Sequence, residues 1–425
     1  MAVPGALPGG HVRVLAVGKA AQALAGAAAR LLGSRIRSGL VVSNVPGLSP
    51  APFEFIQGAH PVPDAGSERA GRRALDLAAS VAPDETLVVL LSGGGSAMLA
   101  VPADGISLDD KRRTTDRLLR AGADIHALNT VRKHLSAIKG GWLATGERKR
   151  GREGFPEPPE RKPLPTPFPS VTFAISDVVG DDLSVIASGP TVADPSTFDD
   201  AVGVLRRYGG LESYPASVAA RFEAGARGQV PETPKPGDPR LARTTTTVIG
   251  GRRDAMEGAA IEAEARGYHV LRVGEPVVGE ARSASAAHLR ASVERARHIG
   301  RPACVVSSGE TTVRVTGSGK GGRNQEFALA AADLIDEGRE PDLQTGSGPV
   351  AVASVGTDGV DGPTEAAGAV VDPTTLNRAR TAGLGPPGRY LDDNNAFAFF
   401  EPLGDLIITG PTDTNVGDLQ IILFG

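Results

Sequence analysis

The sequence has one cysteine, few lysines and no long apolar segment. The single Cys304 among 425 residues excludes a disulfide framework, and its place in the apolar run ACVVSS favours a buried strand residue over a nucleophile. No stretch reaches the roughly 18 uninterrupted apolar residues that a membrane-spanning helix needs. We therefore expect neither a disulfide-stabilised scaffold nor a helical membrane protein.

Several catalytic signatures are also absent. The sequence has no HExxH, paired CxxC or GxSxG, and its seven histidines are dispersed, which disfavours zinc chemistry and a serine-hydrolase elbow. A net charge of -4 and a pI near 6.0 give no broad basic face, so we expect no nucleic-acid or anionic-membrane partner. The opening residues show no basic leader before an apolar segment, and we expect a cytoplasmic protein.

Short apolar runs that end in glycine and lead into alanine-rich stretches dominate what is present. VRVLAVG precedes KAAQALAGAAARLL, and TLVVLLSGGG precedes SAMLA. This alternation is typical of parallel sheets built from strand-helix-strand units, with ligands at the carboxyl ends of the strands. A chain of 425 residues also exceeds the usual size of one core. The sequence predicts an α/β fold with a doubly wound first half and a second α/β domain.

Two proline-rich segments interrupt this pattern. Residues 146–170 carry seven prolines and many charges, which excludes a helix or central strand and predicts an exposed loop. Residues 228–244 carry four prolines and come before TTTVIGG, which is predicted to be a new strand. We therefore predict one domain at 1–235, which contains the loop of about 146–170, and a second at 240–425.

Two strand ends in the first half suit an anion. Ser92, Gly93, Gly94, Gly95 and Ser96 follow an all-apolar run, and glycine lets backbone N–H groups turn toward a concave centre at a helix start. A tight turn without a ligand is the alternative interpretation. The other strand end carries Lys19 at a helix start, where acids are normally preferred, and this mismatch favours a functional role.

The segment NTVRKHLSAIKGG is a further basic region. Arg132, Lys133, Ser136 and Lys139 have helical spacing, and the glycine pair ends the predicted helix. A solvated charged face and an anion-binding face are equally good interpretations of this spacing.

The glycine-rich stretch VTGSGKGGRNQEFALAAA lies in the second half. A P-loop needs a glycine where Arg314 stands and a hydroxyl residue where Gly321 stands. Gly317, Gly319 and Gly322 spell GxGxxG, but the preceding ETTVRVT alternates polar and apolar residues, whereas a dinucleotide fold has a buried strand there. The stretch therefore establishes neither nucleotide motif.

Acidic residues follow three predicted strands. Asp177, Asp181 and Asp182 precede Ser188-Gly189-Pro190, Asp358 and Asp361 form a second group, and Asp413 and Asn415 form a third. Such carboxylates could hold Mg²⁺ or accept a proton from a substrate hydroxyl, while helix capping and Asx turns are the structural alternatives. Acidic strand ends, glycine-rich segments and a basic helix start together favour phosphoryl transfer, which is catalysed by positioning and charge neutralisation.

The chain contains, in order, the motifs VLAVGKAA, GAHPVPD, LLSGGGSAML, NTVRKHLSAIKGG, SDVVGDDLSVIASGPTVADP, SSGETTVRVTGSGKGGRNQEFALA, SVGTDGVDGPTEAAGAVVD and GPTDTNVGDLQIIL. From about Val12 to Leu423 they resemble the glycerate 2-kinase family, whose carboxyl-terminal domain is named MOFRL. The resemblance implies a Rossmann-like first domain, a second α/β domain of the MOFRL type and an interdomain cleft. It also implies ATP- and Mg²⁺-dependent phosphorylation of D-glycerate at its 2-hydroxyl, giving 2-phosphoglycerate and ADP.

The resemblance carries over to single residues. Lys19 and Arg323 match the basic pair expected to carry catalysis. Among the carboxylates, Asp177 and Asp361 are candidate bases and Asp181 and Asp358 are candidate Mg²⁺ ligands, although which one is base and which holds metal stays open. The residues expected to bind substrate or nucleotide are Ser92, Gly93, Gly94, Gly95, Ser96, Lys139, Ser188, Gly189, Glu310, Lys320, Asn324 and Asn415.

Two other functions compete with the kinase. An NAD(P)-dependent hydroxypyruvate reductase needs a true dinucleotide strand and a His-centred acid/base pair, and the sequence shows neither. A non-catalytic sugar-acid or nucleotide-binding module would not need three acidic strand ends around a lysine-arginine pair. A homodimer also stays open.

Overall fold

The structure is a computed structural model that describes residues 9–47, 51–146, 168–336 and 348–425. Residues 147–167, most of the proline-rich segment that was predicted to be an exposed loop, lie outside the described residues. The chain forms two compact units, the first unit being Met1–Ile249 and the second unit Gly250–Gly425. In the described ranges, no helix combines the length and the apolar character needed to cross a membrane.

The first unit is built on a six-stranded sheet. The strand order is β3-β2-β1-β4-β5-β6, and the pairs from β3 to β5 are parallel. This is the order of the doubly wound dinucleotide-binding sheet, so the predicted first-domain class is confirmed. The strands are β1 Val12–Val17, β2 Ile36–Ser43, β3 Phe53–Gln57, β4 Thr86–Leu91, β5 Ser170–Ile175 and β6 Thr244–Gly250.

Helices cover both faces of this sheet because side chains alternate along each strand. In β1, Leu15 and Val17 pack in a cluster with helix α2 (Ala65–Ala79), whereas Val14 and Ala16 pack in a second cluster with helix α1 (Ala21–Leu32). A strand that is buried on both faces must be apolar throughout, which is why VRVLAV and TLVVLL read as continuous apolar runs.

The remaining helices of the first unit are mostly amphipathic. Phe198, Phe222, Leu118 and Val131 are buried at the centre of a separate core built by helices of this group. The predicted helix through Lys139 was wrong, because the helix ends at His134 and the following residues turn back to bridge Pro102. The helices are α3 Gly95–Met98, α4 Leu108–Arg120, α5 Ile125–His134, α6 Phe198–Arg207 and α7 Ala216–Ala226.

The division between the units falls after Ile249, later than the expected boundary between residues 235 and 240. The reason is that TTTVIGG, which was expected to open the second domain, forms β6 at the edge of the first sheet. Ser170 at the start of β5 donates its N–H to the Arg243 carbonyl at 3.1 Å and its hydroxyl to Thr244 Oγ1 at 2.9 Å. The pairing of β6 within the first sheet therefore explains why this compact unit extends to Ile249, and the domain boundary expected from the prolines stays a prediction.

The second unit has a mixed sheet in the order β12-β11-β10-β13-β9-β7, and β8 also pairs with β9. β13 lies antiparallel between β9 and β10, while β7 and β8 run parallel to β9. The predicted second α/β domain is confirmed. The strands are β7 His269–Arg272, β8 Val277–Glu280, β9 Ala303–Thr312, β10 Val350–Gly356, β11 Gly368–Val371, β12 Leu406–Ile407 and β13 Asp418–Phe424.

One helix of the second unit is buried along most of its surface. Helix α10 (Arg323–Ile335) buries Phe327, Leu329 and its alanines in the main core of this unit. The polar residues of its first turn, Asn324, Gln325 and Glu326, are buried as well, so other elements also enclose its amino end. The other helices are α8 Arg252–Ala265, α9 Ala281–Ala296, α11 Thr375–Thr381, α12 Pro387–Asp392 and α13 Ala396–Phe400.

Candidate functional site

The turns after the neighbouring strands β1 and β4 are joined by hydrogen bonds. Lys19 donates its N–H to the Gly93 carbonyl at 2.9 Å, and the Ala20 N–H donates to Ser92 Oγ at 3.0 Å. Gly18 has a φ of +118°, and a Cβ there would overlap Ser92, so only glycine fits this approach. The structure thus brings together two of the predicted segments, with Lys19 partly exposed between them.

The three-glycine turn uses part of its own hydrogen-bonding capacity. Gly95 N–H donates to the Ser92 carbonyl at 3.3 Å, and Ala97 N–H donates to the Gly94 carbonyl at 3.1 Å. The helix that follows has four residues, Gly95–Met98, so its dipole is small. Contact of this turn with a phosphate therefore stays a prediction.

A chain of buried hydrogen bonds begins at this turn. Lys139 Nζ donates to the Ser96 carbonyl at 2.7 Å and to Ser96 Oγ at 3.2 Å. Ser96 Oγ lies 2.7 Å from Ser188 Oγ, which donates to Asn129 Oδ1 at 2.9 Å. Burial, together with the charges of Lys111 and Arg132, lowers the pKa of Lys139 well below its usual value. Lys139 and Ser188 are thus joined at one site.

The backbone is unusual where Ser188 joins this chain. Ala187 and Ser188 have φ values of 51° and 61°, in the left-handed region that non-glycine residues rarely adopt. Gly189 continues it at 59°. The segment is held from outside, since Gly140 N–H donates to the Ser188 carbonyl at 3.1 Å and Gly141 N–H to the Gly189 carbonyl at 2.8 Å.

The acidic group after β5 has one unsatisfied carboxylate oxygen. Asp181 has a φ of 54°, and its Oδ1 is buried without a hydrogen-bond partner in the described structure. Asp182 instead accepts the Ser184 N–H at 2.8 Å, as a local turn does. Asp177 is partly buried just beyond the end of the strand. Asp181 therefore has a buried carboxylate oxygen that no described group satisfies, which makes it a candidate to contact a cation.

Lys133 does not belong with Lys139, although both were predicted on one helix face. It is buried and pairs with the fully buried Asp194 at 3.3 Å. Asp194 also accepts hydrogen bonds from Ser196 and Thr233. The interpretation of the basic segment as a solvated face was wrong for these two lysines, because both are buried.

A groove of about 370 Å³ also lies in the first unit. It is lined by residues of the 183–193 and 235–246 segments, among them Thr191, Lys235, Asp238 and Thr244. None of the predicted site residues lines it. The groove therefore does not coincide with the chemistry that the sequence singled out.

The glycine-rich stretch of the second unit packs against a protein turn. The N–H groups of Thr316 and Gly317 donate to Asn394 Oδ1 at 2.7 and 2.9 Å, and Lys320 N–H donates to Asn395 Oδ1 at 3.1 Å. A Cβ at Gly317 or Gly319 would overlap residues of the same turn. The glycines thus serve close backbone packing, and the Lys320 side chain is exposed.

Arg323 is the first residue of α10 and binds Asp418, the first residue of β13. Its Nε and one terminal nitrogen donate to the two Asp418 oxygens at 2.6 and 2.9 Å. Glu310, which is half exposed, lies 3.7 Å from the other terminal nitrogen. Burial lowers the pKa of Arg323, and the Asp418 carboxylate outweighs this and raises it above its usual value. Sequence reasoning missed Asp418, whose signal was an acid at the head of the strand DLQIIL.

Asp361 caps the amino end of α10. Its oxygens accept the N–H groups of Asn324 at 3.1 Å and Gln325 at 2.9 Å, and both side-chain amides also donate to it. Burial raises the pKa of Asp361 to about 6, while the helix N–H groups favour the carboxylate. Gln325 was missed by sequence reasoning. Asp361 therefore has the geometry of a helix cap, which was the structural alternative considered for these carboxylates.

The remaining predicted residues of the second unit sit in local turns. Asp358 accepts the Val360 N–H at 3.2 Å, as an Asx turn does. Asn415 accepts the Gly417 N–H at 3.2 Å, and its Oδ1 lies 3.4 Å from the Thr357 hydroxyl. Across the described ranges, no three His, Cys, Asp or Glu residues are grouped to hold a metal ion. Asp181 and Asp358 belong to different units.

Two family models match the chain. A domain of unknown function, DUF4147, matches residues 6–150 and 165–223. The MOFRL family matches residues 303–418, which contain Arg323, Asp361 and Asp418. Each unit therefore carries one of the two models.

Relatives match almost the whole chain. A D-glycerate 2-kinase from Thermotoga maritima is 39% identical over 97% of this chain and 90% of its own length. A glycerate 2-kinase from Pyrococcus horikoshii is 37% identical over 97% of this chain and 87% of its own length. A relative from Agrobacterium vitis, 38% identical over 98% of this chain and 88% of its own length, is provisionally named as a hydroxypyruvate reductase.

The fold has a matching crystal structure. Glycerate kinase from Thermotoga maritima superimposes with a TM-score of 0.81 and 36% identity, covering 98% of this chain and 92% of that chain. Because named relatives match both units in order, the chain belongs to the glycerate 2-kinase family, with a DUF4147 region followed by a MOFRL region.

Proposed function

We propose that the protein transfers the γ-phosphoryl group of ATP to the 2-hydroxyl of D-glycerate, giving 2-phosphoglycerate and ADP. The observation that carries this proposal is the 39% identity to a D-glycerate 2-kinase over 97% of the chain. Both units take part in that match, so the proposal does not rest on a shared sheet architecture alone. We further propose that the reaction takes place in the cytoplasm with small molecules as its partners.

Cationic side chains have the main role in the proposed chemistry. Phosphoryl transfer is catalysed by positioning and by neutralising the charge of the transferring group. Lys19 in the first unit and Lys320 and Arg323 in the second unit are the proposed cations. The bidentate bond of Arg323 to Asp418 supports its role, because a guanidinium that is already fixed loses little entropy on meeting a phosphate.

A general base must accept the proton of the substrate hydroxyl, and Asp177 and Asp361 are the proposed candidates. A base works best when its pKa lies near the working pH, and burial raises the pKa of Asp361 to about 6. The four hydrogen bonds that Asp361 accepts from Asn324 and Gln325 favour a capping role instead. Asp177 lies after β5, within the first unit.

The residues present fit a weakly held Mg²⁺. Magnesium takes few carboxylates, several waters and the nucleotide phosphates, and Asp181 offers a carboxylate oxygen that has no protein partner. We propose Asp181 as a ligand and keep Asp358 as a second candidate, since its Oδ1 already accepts the Val360 N–H. A bound Mg²⁺ would supply charge neutralisation at the phosphates.

A hydroxypyruvate reductase is the competing function, favoured by the strand order of the first sheet. In a dinucleotide fold the glycine motif follows the first strand, but here β1 leads to Gly18-Lys19 without GxGxxG. The GxGxxG of this chain precedes α10 in the second unit, and several of its backbone N–H groups already bind Asp393, Asn394 and Asn395. The kinase is therefore the better supported function.

One pair of assays tests the proposal. The purified protein is given ATP, Mg²⁺ and D-glycerate in a coupled ADP-release assay, and in parallel NADH or NADPH and hydroxypyruvate in an absorbance assay. ADP release that depends on glycerate is the expected result, with no nicotinamide oxidation. Nicotinamide oxidation without ADP release would make the protein a reductase, and inactivity in both assays would favour a binding module.

A further inference from the structure

Three cationic side chains lie close together in the first unit. Lys111 on α4 and Lys139 are 6% and 2% exposed, and Arg132 on α5 is partly buried. Lys111 Nζ donates to the Leu135 carbonyl at 3.0 Å, and Lys139 Nζ donates to Ser96. Burial lowers the pKa of Lys111 to about 7, with further lowering by Arg132 and Arg221. The three side chains are near enough to repel one another.

This cluster has no carboxylate of its own among the residues that the structure describes. In the part of the chain that the structure describes, no Asp or Glu forms an ion pair with Lys111, Arg132 or Lys139. Glu68 raises the pKa of Lys111 from a distance, but its carboxylate pairs with Arg72 at 2.6 Å. Buried charges are normally paired, because burying an unpaired charge costs on the order of several kcal/mol in lost hydration.

The neighbouring lysine shows that the fold can supply such a partner. Lys133, next in sequence to Arg132, is 5% exposed and pairs with Asp194 at 3.3 Å. Asp194 is further held by Ser196 and Thr233. The two sides of α5 therefore differ, since one positive charge meets a built-in carboxylate and the other does not.

One hydrogen-bond donor on the unpaired side of α5 is buried without an acceptor among the described residues. It lies on the same helix as Arg132, which is partly buried and whose pKa is lowered by burial. Asn129 lies one helical turn earlier and is 3% exposed, and its Nδ2 is buried without a partner while its Oδ1 accepts the Ser188 hydroxyl. A buried donor without an acceptor costs about 1–3 kcal/mol, so an oxyanion at this place would offset that cost.

We propose that Asn129, Arg132 and Lys139 form an anion subsite that receives the carboxylate of the acceptor substrate. The inference rests on the proposed function and deepens it, because it assigns residues that would select the carboxylate of D-glycerate over a neutral polyol. A guanidinium matches a planar carboxylate with two parallel hydrogen bonds. Ser96 links Lys139 to the three-glycine turn, so the bound carboxylate lies beside the predicted nucleotide-facing segment.

Charge distinguishes a carboxylate from the phosphates of the nucleotide. Burial lowers the pKa of all three side chains, but the guanidinium is intrinsically the most basic, so Arg132 is the group that keeps its positive charge. A single positive charge suits a monoanion better than a triphosphate with several charges. The arrival of an anion would favour the charged lysines again, so binding should be accompanied by proton uptake.

Steady-state kinetics with R132M and a control variant test the subsite. Arg120 is an exposed arginine at the end of α4, paired with Asp116, and R120M is the matched control. Loss of a charge-assisted hydrogen bond should raise the KM for D-glycerate about 10–100-fold in R132M, with the KM for ATP within about twofold of the native value. R120M should leave both constants unchanged. A rise in the KM for ATP instead would assign the cluster to phosphate and overturn the proposal.

Calorimetry gives a readout that does not depend on turnover. D-glycerate is titrated into the full chain near pH 8, with and without ADP, in two buffers of different ionisation enthalpy. The native protein should bind with proton uptake, and folded R132M and N129A, checked by thermal melting, should bind at least about 10-fold more weakly. Native affinity in both variants would overturn the subsite.

The two proposals can fail separately. If the native protein releases ADP with glycerate and R132M has an unchanged KM, the subsite is wrong and the kinase stands. If glycerate binds through Arg132 but no ADP is released, the subsite stands and the kinase is wrong. Absence of both binding and turnover would overturn both.

Discussion

Arg323 holds the fully buried carboxylate of Asp418 with two hydrogen bonds of 2.6 and 2.9 Å, joining residues that lie 95 positions apart. One partner opens helix α10 and the other opens strand β13, so the pair fixes a helix start against the middle of the second sheet. The guanidinium is thereby held in one orientation with its third nitrogen toward Glu310.

Asp418→Asn should therefore affect both stability and turnover. The variant leaves the Arg323 charge without its partner, and because the arginine is 30% exposed we expect the lower end of the cost of a broken buried pair, about 3 kcal/mol. We expect kcat to fall at least about 10-fold per folded molecule, since a misplaced cation loses its contact with developing charge. Chemical unfolding and the ADP-release assay measure the two effects.

Asp405→Asn is the matched control for this prediction. Arg378 also binds an aspartate with two hydrogen bonds elsewhere in the second unit, its two terminal nitrogens donating to the Asp405 oxygens at 2.9 and 2.8 Å. Loss of the Arg378–Asp405 pair should lower the free energy of unfolding, while kcat per folded molecule stays equal to that of the native protein. Equal kcat values for D418N and D405N would remove the Arg323–Asp418 pair from the mechanism.

Lys19→Ala should lower turnover without unfolding the protein. Loss of one preorganised cation in such a site typically costs about 10²–10³ in kcat. Lys19 is only partly buried, so little packing is lost. Arg30, an exposed basic residue in the last turn of helix α1, which follows Lys19 in the chain, provides the control R30A. Near-native kcat in K19A, with circular dichroism confirming the fold, would remove Lys19 from catalysis.

Gly18→Ala should destabilise the first unit. A side chain at a φ of +118° costs about 1–3 kcal/mol in backbone strain, and its Cβ would also overlap Ser92. The comparison variant is G26A on α1, where the Cβ would lie 3.7 Å from Arg30. There, alanine should stabilise by about 0.5–1 kcal/mol, because glycine inside a helix is unfavourable. Opposite signs in urea unfolding are the expected result.

His288→Gln should change how stability depends on pH. Burial lowers the pKa of His288 to about 4, against an ordinary value of 6.5, and Ser307 Oγ lies 2.7 Å from its Nε2. Between pH 4 and 6.5 the unfolded chain binds the extra proton, so His288 makes stability rise with pH, by on the order of 3 kcal/mol across this window.

Urea midpoints at several pH values check this dependence. The slope between pH 4 and 6.5 should be smaller in H288Q than in the native protein, and other titrating groups cancel in the difference. H298Q changes an exposed histidine and should leave the slope unchanged. Identical slopes in H288Q and the native protein would mean that His288 titrates normally in the folded state.

Removing Mg²⁺ with excess EDTA should abolish turnover, because the cations of the protein neutralise the phosphates only in part. Asp181→Asn should be partly rescued by added Mg²⁺, whereas a variant of the base, at Asp177 or Asp361, should not. Asp182→Asn is the control, since its carboxylate accepts the Ser184 N–H and it should keep the native Mg²⁺ dependence. Full activity in EDTA would contradict the metal-assisted scheme.

Much of the first unit was predictable because its signals are local. Strands buried on both faces must be apolar throughout, so β1 and β4 were visible in VRVLAV and TLVVLL, and their glycine ends placed the turns. The family followed from long motifs in a fixed order. The place where the first sheet ends was not local, because nothing in TTTVIGG states which sheet it joins.

The partners of charged side chains depended on tertiary structure. Spacing put Lys133 and Lys139 on one helix face, but the helix ends between them and, of the two, only Lys133 pairs with an acid among the described residues. The glycine-rich stretch around Lys320 was one of the segments that favoured phosphoryl transfer, and the fold gives the backbone N–H groups of Gly317, Ser318 and Lys320 to a turn 75 to 77 residues away. The composition and order of local motifs determine fold class and family, because backbone preference and apolar periodicity act over a few residues. Which cation finds a carboxylate partner is decided only when segments that are distant in sequence meet, because charge compensation is a property of the assembled site.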